Sequence, residues 1–316
     1  MPDNAEAAAA HRPPGIRLFT PPPAGFDPVR ATDRELLAHG YPARPDPERQ
    51  PELHKHWTAM LSRPITVIRP EFEEAPPRLG GKRLRYADTV GSGWAGSQFI
   101  VAGGGDPVQF VTGQWTVPAV AVPEGDHGMS VCATWIGIDA LSGADDDILQ
   151  TGTTQQITYG DSSSSAFAWF EWFPAPPSTL SNLAVSPGDV MYGLICIDTS
   201  AEARVYLGNM TTGQLVSFVK DGSSEGLSVA GDSAEWILEC PQDLKSGDFE
   251  LLTKFGDIYF DNCLAGTNGP DGPQTVFGGG YANLIMEGTA DGNFFPIAAP
   301  LSLNDRAFKV QYVVPP

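Results

Sequence analysis

Residues 109–118 are Gln109-Phe110-Val111-Thr112-Gly113-Gln114-Trp115-Thr116-Val117-Pro118, a run of aromatic and β-branched side chains that ends at a proline. This composition favours a β-strand, and a proline interrupts the hydrogen-bonded ladder of a central strand. Similar short segments, separated by Gly, Asp, Asn and Ser, occupy residues 131–138, 166–173, 191–197, 203–207, 215–219, 234–238 and 308–314. Helical periodicity is nearly absent after residue 90. The sequence therefore predicts an all-β sandwich or barrel.

The composition agrees with many short strands and turns. Of the 316 residues, 35 are Gly and 29 are Pro. The formal net charge of −19 argues against nucleic acid or an anionic membrane surface as a partner, because phosphate groups are bound by basic patches. The sequence contains no apolar run of ~18 residues, the length that a membrane span requires, and the N-terminus lacks the features of a signal peptide. The widely spaced Cys132, Cys196, Cys240 and Cys263 argue against zinc or thioredoxin chemistry and leave one or two disulfides open.

The charge distribution divides the chain into two parts. Residues 1–85 contain 13 Lys+Arg against 11 Asp+Glu, and 15 of the 29 prolines. Residues 86–316 contain 6 Lys+Arg against 27 Asp+Glu. Because composition changes so sharply, we predict a boundary between Gly80 and Gly91. A small Pro-rich, partly helical N-terminal segment (1–85) then precedes a β-sandwich domain (86–316).

Two short helices are predicted in the N-terminal segment. Thr32-Asp33-Arg34-Glu35 has the pattern of a capping box that starts the first helix, and Gly40 ends it. Asp46-Pro47 marks the start of the second helix, whose apolar stripe comprises Leu53, Trp57, Met60 and Leu61. Two helices of this length cannot bury a core alone, so we expect them to dock on the larger domain or to stay mobile.

Acidic residues interrupt two of the apolar strands. Period-2 alternation places Glu235, Ile237 and Glu239 on one face of the strand around residues 234–238. By the same rule, Trp169 and Glu171 share a face of the strand 166–173. Each glutamate can instead occupy an ordinary solvent-facing position, which is common in sandwiches.

Two further polar residues are expected at strand ends. Asp139 closes the strand 131–138, and Gln150 closes the short strand Ile148-Leu149. A concave, aromatic-lined sheet face that carries carboxylates and an amide suits acid–base chemistry. Crowding carboxylates beside aromatic rings is expected to raise at least one pKa, through desolvation and like-charge repulsion.

Six motifs, taken in chain order, resemble the glutamic peptidases (eqolisins, peptidase family G1). They are Gly93-Trp94-Ala95-Gly96, Gly113-Gln114-Trp115-Thr116-Val117-Pro118, Trp135-Ile136-Gly137-Ile138-Asp139, Ile148-Leu149-Gln150-Thr151-Gly152, Trp169-Phe170-Glu171-Trp172-Phe173-Pro174 and Ala234-Glu235-Trp236-Ile237-Leu238-Glu239. Residues 308–312 also look like the family's last strand. The resemblance therefore extends from about Trp94 to Tyr312.

This resemblance implies a concanavalin-like or jelly-roll sandwich of two antiparallel sheets, and the activity of an acid endopeptidase without metal or cofactor. The family's Leu-Gln-Thr-Gly motif implies that Gln150 is the catalytic amide. Its strand ending in Ile-X-Glu implies that Glu239, rather than Glu235, is the catalytic base. Positions that line or support the family's cleft are matched by Trp94, Trp135, Asp139, Trp169 and Glu171.

The resemblance also implies a polypeptide substrate, a monomer and an extracellular location, although no signal peptide is visible and a cytoplasmic location stays open. The N-terminal segment is then a candidate propeptide or lid that inhibits the enzyme. Residues 80–85 are its expected processing region. If the stripe of Trp57 covers the cleft, the full-length chain should be latent near neutral pH. A permanent lid and a disordered arm are the alternatives.

The chain departs from the family's pattern at three aromatic positions. Phe170 and Phe173 stand where relatives commonly have tyrosine, and Phe167 stands where an acidic residue is expected. These differences bear on specificity and pH optimum.

The alternative function is a carbohydrate-active sandwich, either a glycosidase that uses Glu171 and Glu239 or a lectin-like module. A glycosidase does not need the amide of Gln150, which favours the peptidase. A family member that has lost catalysis is a third interpretation.

Overall fold

The computed structural model describes residues 12–74, 93–124, 128–140, 147–161, 163–241, 250–269, 272–290 and 293–313. In the N-terminal segment the elements are β1 (Ile16–Leu18), α1 (Asp33–Ala38), α2 (Pro51–Leu61), β2 (Thr66–Ile68) and β3 (Phe72–Glu74). In the rest of the described chain, the regular elements are strands and two short 3₁₀ helices, Ser223–Glu225 and Gly278–Tyr281.

The strands of the larger domain are short and closely spaced. The first half contains β4 (Trp94–Ile100), β5 (Val108–Thr116), β6 (Val120–Ala121), β7 (Met129–Ile138), β8 (Ile148–Thr158), β9 (Ser165–Phe173), β10 (Ser178–Leu180), β11 (Val190–Thr199), β12 (Glu202–Asn209) and β13 (Gln214–Asp221). The second half contains β14 (Ser233–Glu239), β15 (Leu251–Leu252), β16 (Lys254–Phe255), β17 (Ile258–Gly269), β18 (Gly272–Phe277), β19 (Ala282–Leu284), β20 (Met286–Ala290), β21 (Asn293–Asn304) and β22 (Ala307–Tyr312).

Two large sheets form a sandwich, as the sequence predicts. Within the described residues, sheet I has eleven strands in the order β1-β13-β12-β11-β5-β17-β22-β21-β20, with β2 beside β13 and β18 beside β17. Sheet II has nine described strands in the order β19-β4-β14-β7-β8-β9-β10-β3, with β15 beside β7. Neighbouring strands are antiparallel, apart from the parallel pairs β2–β13 and β15–β7.

The core lies between the inner faces of the two sheets, where two tryptophans link the sheets in opposite directions. Trp236 on β14 donates from Nε1 to the Thr112 carbonyl at 2.8 Å, and Trp115 on β5 donates to Thr153 Oγ1 at 2.9 Å. Gly113 makes room for one of them, since a Cβ there would lie 2.8 Å from Trp236 Cδ1. These bonds satisfy the indole N–H groups, so the large rings are buried without an unpaired donor.

The N-terminal segment contributes strands to both sheets. In sheet I, β1 pairs antiparallel with β13 and β2 pairs parallel with it, while β3 pairs antiparallel with β10 in sheet II. The sequence did not predict these strands, because each is three residues long and takes its backbone partners from distant residues. The described part of the segment is therefore docked on the sandwich, which was one of the two predicted arrangements.

The first predicted helix is confirmed, and the second begins later than expected. Thr32 and Glu35 form the reciprocal capping box, with Thr32 N donating to Glu35 Oε2 at 2.8 Å. Helix α2 begins at Pro51 rather than at Pro47. A helix that started at Pro47 would place Pro51 where its ring would clash and a hydrogen bond would be lost. Asp46 instead accepts from the backbone of Glu48 and Arg49 in a turn.

The apolar stripe of α2 packs on the outer face of sheet I. Its cluster combines residues of the segment with residues of β11, β12 and β13, namely Ala31, Leu36, Tyr41, Trp57, Met60, Leu61, Tyr192, Leu194, Tyr206 and Leu215. Trp57 also donates to the Pro42 carbonyl at 3.0 Å. The stripe does not cover Gln150 and Glu239, because these residues lie on the other sheet. The predicted boundary and the processing region at 80–85 lie outside the described residues.

Three further points differ from or complete the sequence interpretation. Strand β8 continues to Thr158, so Gln150 is an interior residue of a strand and does not close one.

All four cysteines are free, so the disulfides that their spacing left open are not formed. Burial raises the pKa of Cys132 to about 12, which keeps it a thiol. In the described part of the chain, no helix is long and apolar enough to cross a membrane.

Candidate active site

The candidate residues lie on the outer face of sheet II, the face directed away from the core. Across the ladder, Glu235 on β14 pairs with Gly137 on β7, which pairs with Gln150 on β8, which pairs with Glu171 on β9. Paired residues point to the same side of a sheet. The predicted alternation of β14 and β9 is therefore confirmed, and three polar side chains share one row.

The next two rows on this face contain the aromatic residues and the second glutamate of β14. Trp135 pairs with Ile237 and with Gly152, which in turn pairs with Trp169. Glu239 pairs with Trp94 on β4. The sheet thus brings the predicted Trp94, Trp135, Gln150, Trp169, Glu171 and Glu239 onto one face.

The Gln150 amide is held by the carboxyl group facing it. Its Nε2 donates to Glu171 Oε2 at 2.7 Å, and both side chains are almost fully buried. An amide nitrogen has two hydrogens, so one remains for another acceptor. The buried Oε1 of Gln150 has no hydrogen-bond partner among the described residues. This arrangement fixes the side chain and leaves it with unused hydrogen-bonding capacity.

The Glu239 carboxyl group is held by tryptophans. Trp135 Nε1 donates to Glu239 Oε2 at 2.8 Å, and the rings of Trp94 and Trp135 meet edge to face with centroids 5.1 Å apart. Glu239 is only 4% exposed, and burial raises its pKa to about 7. Hydrogen bonds from Trp94 and Trp135 oppose this shift, because they stabilise the ionised form.

Trp135 also contacts the other end of the site. A Cβ on Gly137 would lie 3.0 Å from Trp135 Cζ3 and 3.3 Å from Gln150 Cβ. The six-membered ring of the indole therefore packs over Gly137, beside Gln150, while its pyrrole N–H binds Glu239. One rigid side chain thus reaches from the base of the Gln150 side chain to the carboxyl group of Glu239, and the absence of a side chain at Gly137 makes this possible.

The carboxyl group of Glu171 is close enough to Glu239 to feel its charge. Its pKa is raised well above the usual range, mainly by desolvation and next by repulsion from Glu239, while the Gln150 amide lowers it. Two carboxyl groups with raised pKa values therefore flank the amide and the indole. Clustered, desolvated acids of this kind are typical of sites that move protons.

Trp169 forms an aromatic wall beside this cluster. It is 1% exposed and packs with Ala133, Trp135, Ile237 and Leu284, and with the partly buried Trp94 and Phe167. Phe167, where an acidic residue was expected, therefore extends the apolar wall. The indole Nε1 of Trp169 is buried and has no hydrogen-bond partner among the described residues.

Asp139 has a different environment from the other predicted site residues. At the end of β7, with φ +76°, it accepts hydrogen bonds from the backbone N–H groups of Ala230, Gly231 and Asp232. Burial raises its pKa to about 6, and these bonds oppose the shift. Asp139 thus holds the loop that leads into β14, and its described contacts connect it to the site through that strand.

A second buried pair of an amide and a carboxyl group, which the sequence did not predict, lies on the same face. Gln98 on β4 donates from Nε2 to Glu235 Oε1 at 3.2 Å, and burial raises the pKa of Glu235 to about 8. The alternation of β4 carries the only sequence signal for Gln98, since it puts Trp94 and Gln98 on one side. A strand pairing between β4 and β14 could not be inferred from it.

Comparisons with known proteins identify the family of the chain. Residues 92–291 match the Peptidase A4 family. The chain is 31% identical over 247 residues to aspergillopepsin-2 from Aspergillus niger. This alignment covers 67% of this chain and 83% of that protein. It is 32% identical over 161 residues to scytalidopepsin B from Scytalidium lignicola, in an alignment that covers 49% of this chain and 59% of that protein.

Solved structures with the same architecture include two of peptidases with bound ligands. Scytalido-glutamic peptidase with a transition-state analog inhibitor aligns with a TM-score of 0.55 at 24% identity, covering 71% of this chain and all of the other. A structure of SCP-B, an eqolisin-family peptidase in complex with the tripeptide Ala-Ile-His, aligns with a TM-score of 0.51 at 23% identity, again over 71% of this chain and all of the other. At these identities the two structures support the β-sandwich fold.

Proposed function

We propose that this chain, which belongs to the peptidase A4 family of glutamic peptidases and is a peptide hydrolase, uses Gln150 and Glu239 as its catalytic dyad. The observation that carries the proposal is the placement of both side chains on one sheet face, with Gln150 held by Glu171 and Glu239 held by Trp135. Family membership favours peptide-bond hydrolysis over the carbohydrate-active alternative.

In the proposed reaction, ionised Glu239 takes a proton from a water molecule, whose oxygen attacks the scissile carbonyl carbon. The free N–H of Gln150 donates to the developing oxyanion, a contribution of roughly 3–4 kcal/mol in comparable sites. Protonated Glu239 then gives the proton to the leaving amine as the C–N bond breaks. Glu171 holds the amide, and Trp94 and Trp135 stabilise the charged form of Glu239.

The burial of the dyad bears on its pH dependence. In the described state, a pKa of about 7 keeps Glu239 protonated in acid, where it cannot act as a base. Because desolvation is the main cause of this shift, admitting substrate and water would lower the pKa, and the indole hydrogen bonds would add to that effect. We therefore propose an acid endopeptidase whose active state exposes Glu239 more than the 4% seen here.

We propose that the full-length chain is latent, with residues 1–85 as an inhibitory N-terminal segment ahead of the peptidase domain 86–316. The near-complete burial of Gln150 and Glu239 supports latency. Because α2 packs on sheet I, we propose that it acts through the fold as a whole rather than by covering the dyad. N-terminal sequencing during acid incubation tests this idea, and a full-length chain that is fully active without cleavage would contradict it.

The remaining properties rest on the family resemblance. We propose that the enzyme acts as a monomer on unfolded or flexible polypeptides, outside the cell. Size-exclusion chromatography with light scattering tests the first property, and detection of the protein in culture medium tests the last. A stable dimer, or retention inside the cell, would contradict the corresponding proposal.

The dyad is tested by cleavage of a denatured protein between pH 2 and 7 in the presence of an aspartic-protease inhibitor. We expect Gln150→Ala to lower kcat by about 10²–10³-fold, and Glu239→Gln to abolish measurable cleavage. The matched controls are Gln156→Ala, on the same strand and face as Gln150, and Glu235→Gln, on the same strand and face as Glu239. If Glu235→Gln were inactive and Glu239→Gln active, the base would be Glu235.

A further inference from the structure

A cavity of about 360 Å³ lies on the opposite side of the molecule from the dyad, between α2 and the outer face of sheet I. Its lining includes His56, Met60 and Arg63 from the N-terminal segment, and Met210, Asp261 and Asn262 from the sandwich. This volume is at the lower end of the range of small-molecule sites, which is about 300–1,000 Å³. Neither the proposed mechanism nor the packing of the segment uses this space.

His56 gives the cavity a buried polar group without a partner. It is 8% exposed, and the centroid of its ring lies 5.8 Å from that of Tyr192. Its Nε2 has no hydrogen-bond partner among the described residues. Burial lowers its pKa to about 4, so the ring is neutral in weak acid and at neutral pH. A neutral ring nitrogen can accept a hydrogen bond or, in the other tautomer, donate one. Leaving it unpaired costs free energy, which a bound ligand would recover.

Charges of opposite sign line the same cavity. Arg63 and Asp261 are both exposed, and neither forms an ion pair with the described residues. Asp261 lies where the pairing of β17 with β5 shifts register, and the next residue, Asn262, has φ +51°. Such a bulge redirects side chains out of the regular ladder. The rest of the lining combines apolar side chains, among them Met60 and Met210, with the polar Gln114 and Thr211.

We propose that this cavity binds a short peptide with free termini, of dipeptide size. Its ammonium group would bind Asp261, its carboxylate would bind Arg63, and its amide would bind Nε2 of His56. Apolar side chains of the peptide would contact the methionines. The free termini of the ligand are those that any peptide hydrolase leaves on the peptides it releases, so they do not depend on which residues form the dyad. The dipeptide size follows from the volume of the cavity. The cavity is thus a product-binding site remote from the cleavage site.

The probe is the dipeptide Ala-Leu, titrated into the full-length chain at pH 7 by calorimetry, with chromatography to verify that the dipeptide stays intact. We expect saturable binding to the wild-type chain. N-acetyl-Ala-Leu and Ala-Leu-amide should each bind at least about tenfold more weakly, as expected for loss of one charge-assisted hydrogen bond. Asp261→Asn should remove the discrimination against the acetylated probe, and Arg63→Gln should remove the discrimination against the amide.

Arg49→Gln and Asp33→Asn are the matched controls, because both residues are exposed, belong to the same segment and do not line the cavity. Both should bind Ala-Leu as the wild type does. The proposal is overturned if Ala-Leu does not bind, if blocking either terminus has no effect, or if the controls weaken binding as much as the cavity variants. Because binding is measured directly, these outcomes are independent of the result for Gln150 and Glu239.

Discussion

Trp135 donates a hydrogen bond of 2.8 Å to Glu239, and the far edge of the same indole lies over Gly137 beside Gln150. The relative position of the two proposed catalytic side chains therefore depends on one rigid ring. The N–H group tunes the carboxyl group, because it stabilises the ionised form, and the ring occupies the space between the strands. These two roles can be separated by substitution.

Trp135→Phe should raise the pKa of Glu239, because it removes a hydrogen bond that stabilises the carboxylate while keeping an aromatic ring. A base with a higher pKa is protonated over a wider range, so the acidic limb of the kcat/KM profile should move to higher pH. The profile of kcat/KM between pH 2 and 7 measures this shift. Trp172→Phe, on the inner face of strand β9 in the same sheet, is the control. A fall in activity without movement of the limb would mean that Trp135 acts only through packing.

Gly137→Ala should lower kcat by at least about tenfold, because the added Cβ would lie 3.0 Å from Trp135 Cζ3 and displace the ring. Small displacements of catalytic groups carry large kinetic costs. Steady-state kinetics with a peptide substrate measure the effect, and circular dichroism verifies the fold. Gly256→Ala is the control, since a Cβ there meets nothing within 4 Å. An unchanged kcat would show that the indole does not position the dyad.

The sequence predicted which residues share a face because alternation within a strand is local. The prediction that Trp169 shares a face with Glu171, and Glu235 with Glu239, did not require the order of the strands. Other features of the site depend on which strands are neighbours. They are the pairing of Gln150 with Glu171, the placement of Gly137 between β14 and β8, and the Gln98–Glu235 pair. Strand order arises from long-range packing, and no periodicity encodes it. Asp139 shows the same limit, because its backbone partners lie about 90 residues away in the sequence.

The stability of the fold should decrease from acid to neutral pH. Burial raises the pKa of four carboxyl groups, to about 6 for Asp139, about 7 for Glu239 and about 8 for Glu235, and well above the usual range for Glu171. A raised pKa means that the folded state binds more protons than the unfolded state. Its contribution is therefore complete below about pH 4 and is lost as pH rises through 6 to 8.

Thermal denaturation between pH 3 and 9 measures this trend, and Glu235→Gln tests its cause. Because glutamine mimics a protonated glutamate, the variant should match the wild type in acid and have a higher melting temperature at pH 8. Exposed groups with lowered pKa values, such as Asp46 and Asp221, oppose the trend only below about pH 4. A melting temperature that rises from pH 4 to pH 8 would contradict the prediction.

The predicted division at residues 80–91 reflects composition, whereas docking of the segment depends on shape. Residues 1–85 are basic relative to the rest of the chain, yet ion pairs of both polarities link the segment to the sandwich, Arg17 with Glu202 and Glu52 with Arg306. Strands β1, β2 and β3 and the cluster around Trp57 make the more extensive contacts. The edge strands β13 and β10 that accept them could not be identified locally.

Trp57→Ala should therefore destabilise the whole described fold, by about 3–5 kcal/mol for a buried tryptophan, and not only the N-terminal segment. The ring is 3% exposed and packs in a cluster that includes Tyr192, Leu194 and Tyr206 of the sandwich. Denaturant unfolding, followed both by fluorescence and by far-UV circular dichroism, should show one transition shifted to lower denaturant concentration. Lys55→Ala, an exposed position on the same helix, should leave the midpoint unchanged. If the segment were an independent propeptide, the sandwich would unfold at its original midpoint after a separate early transition.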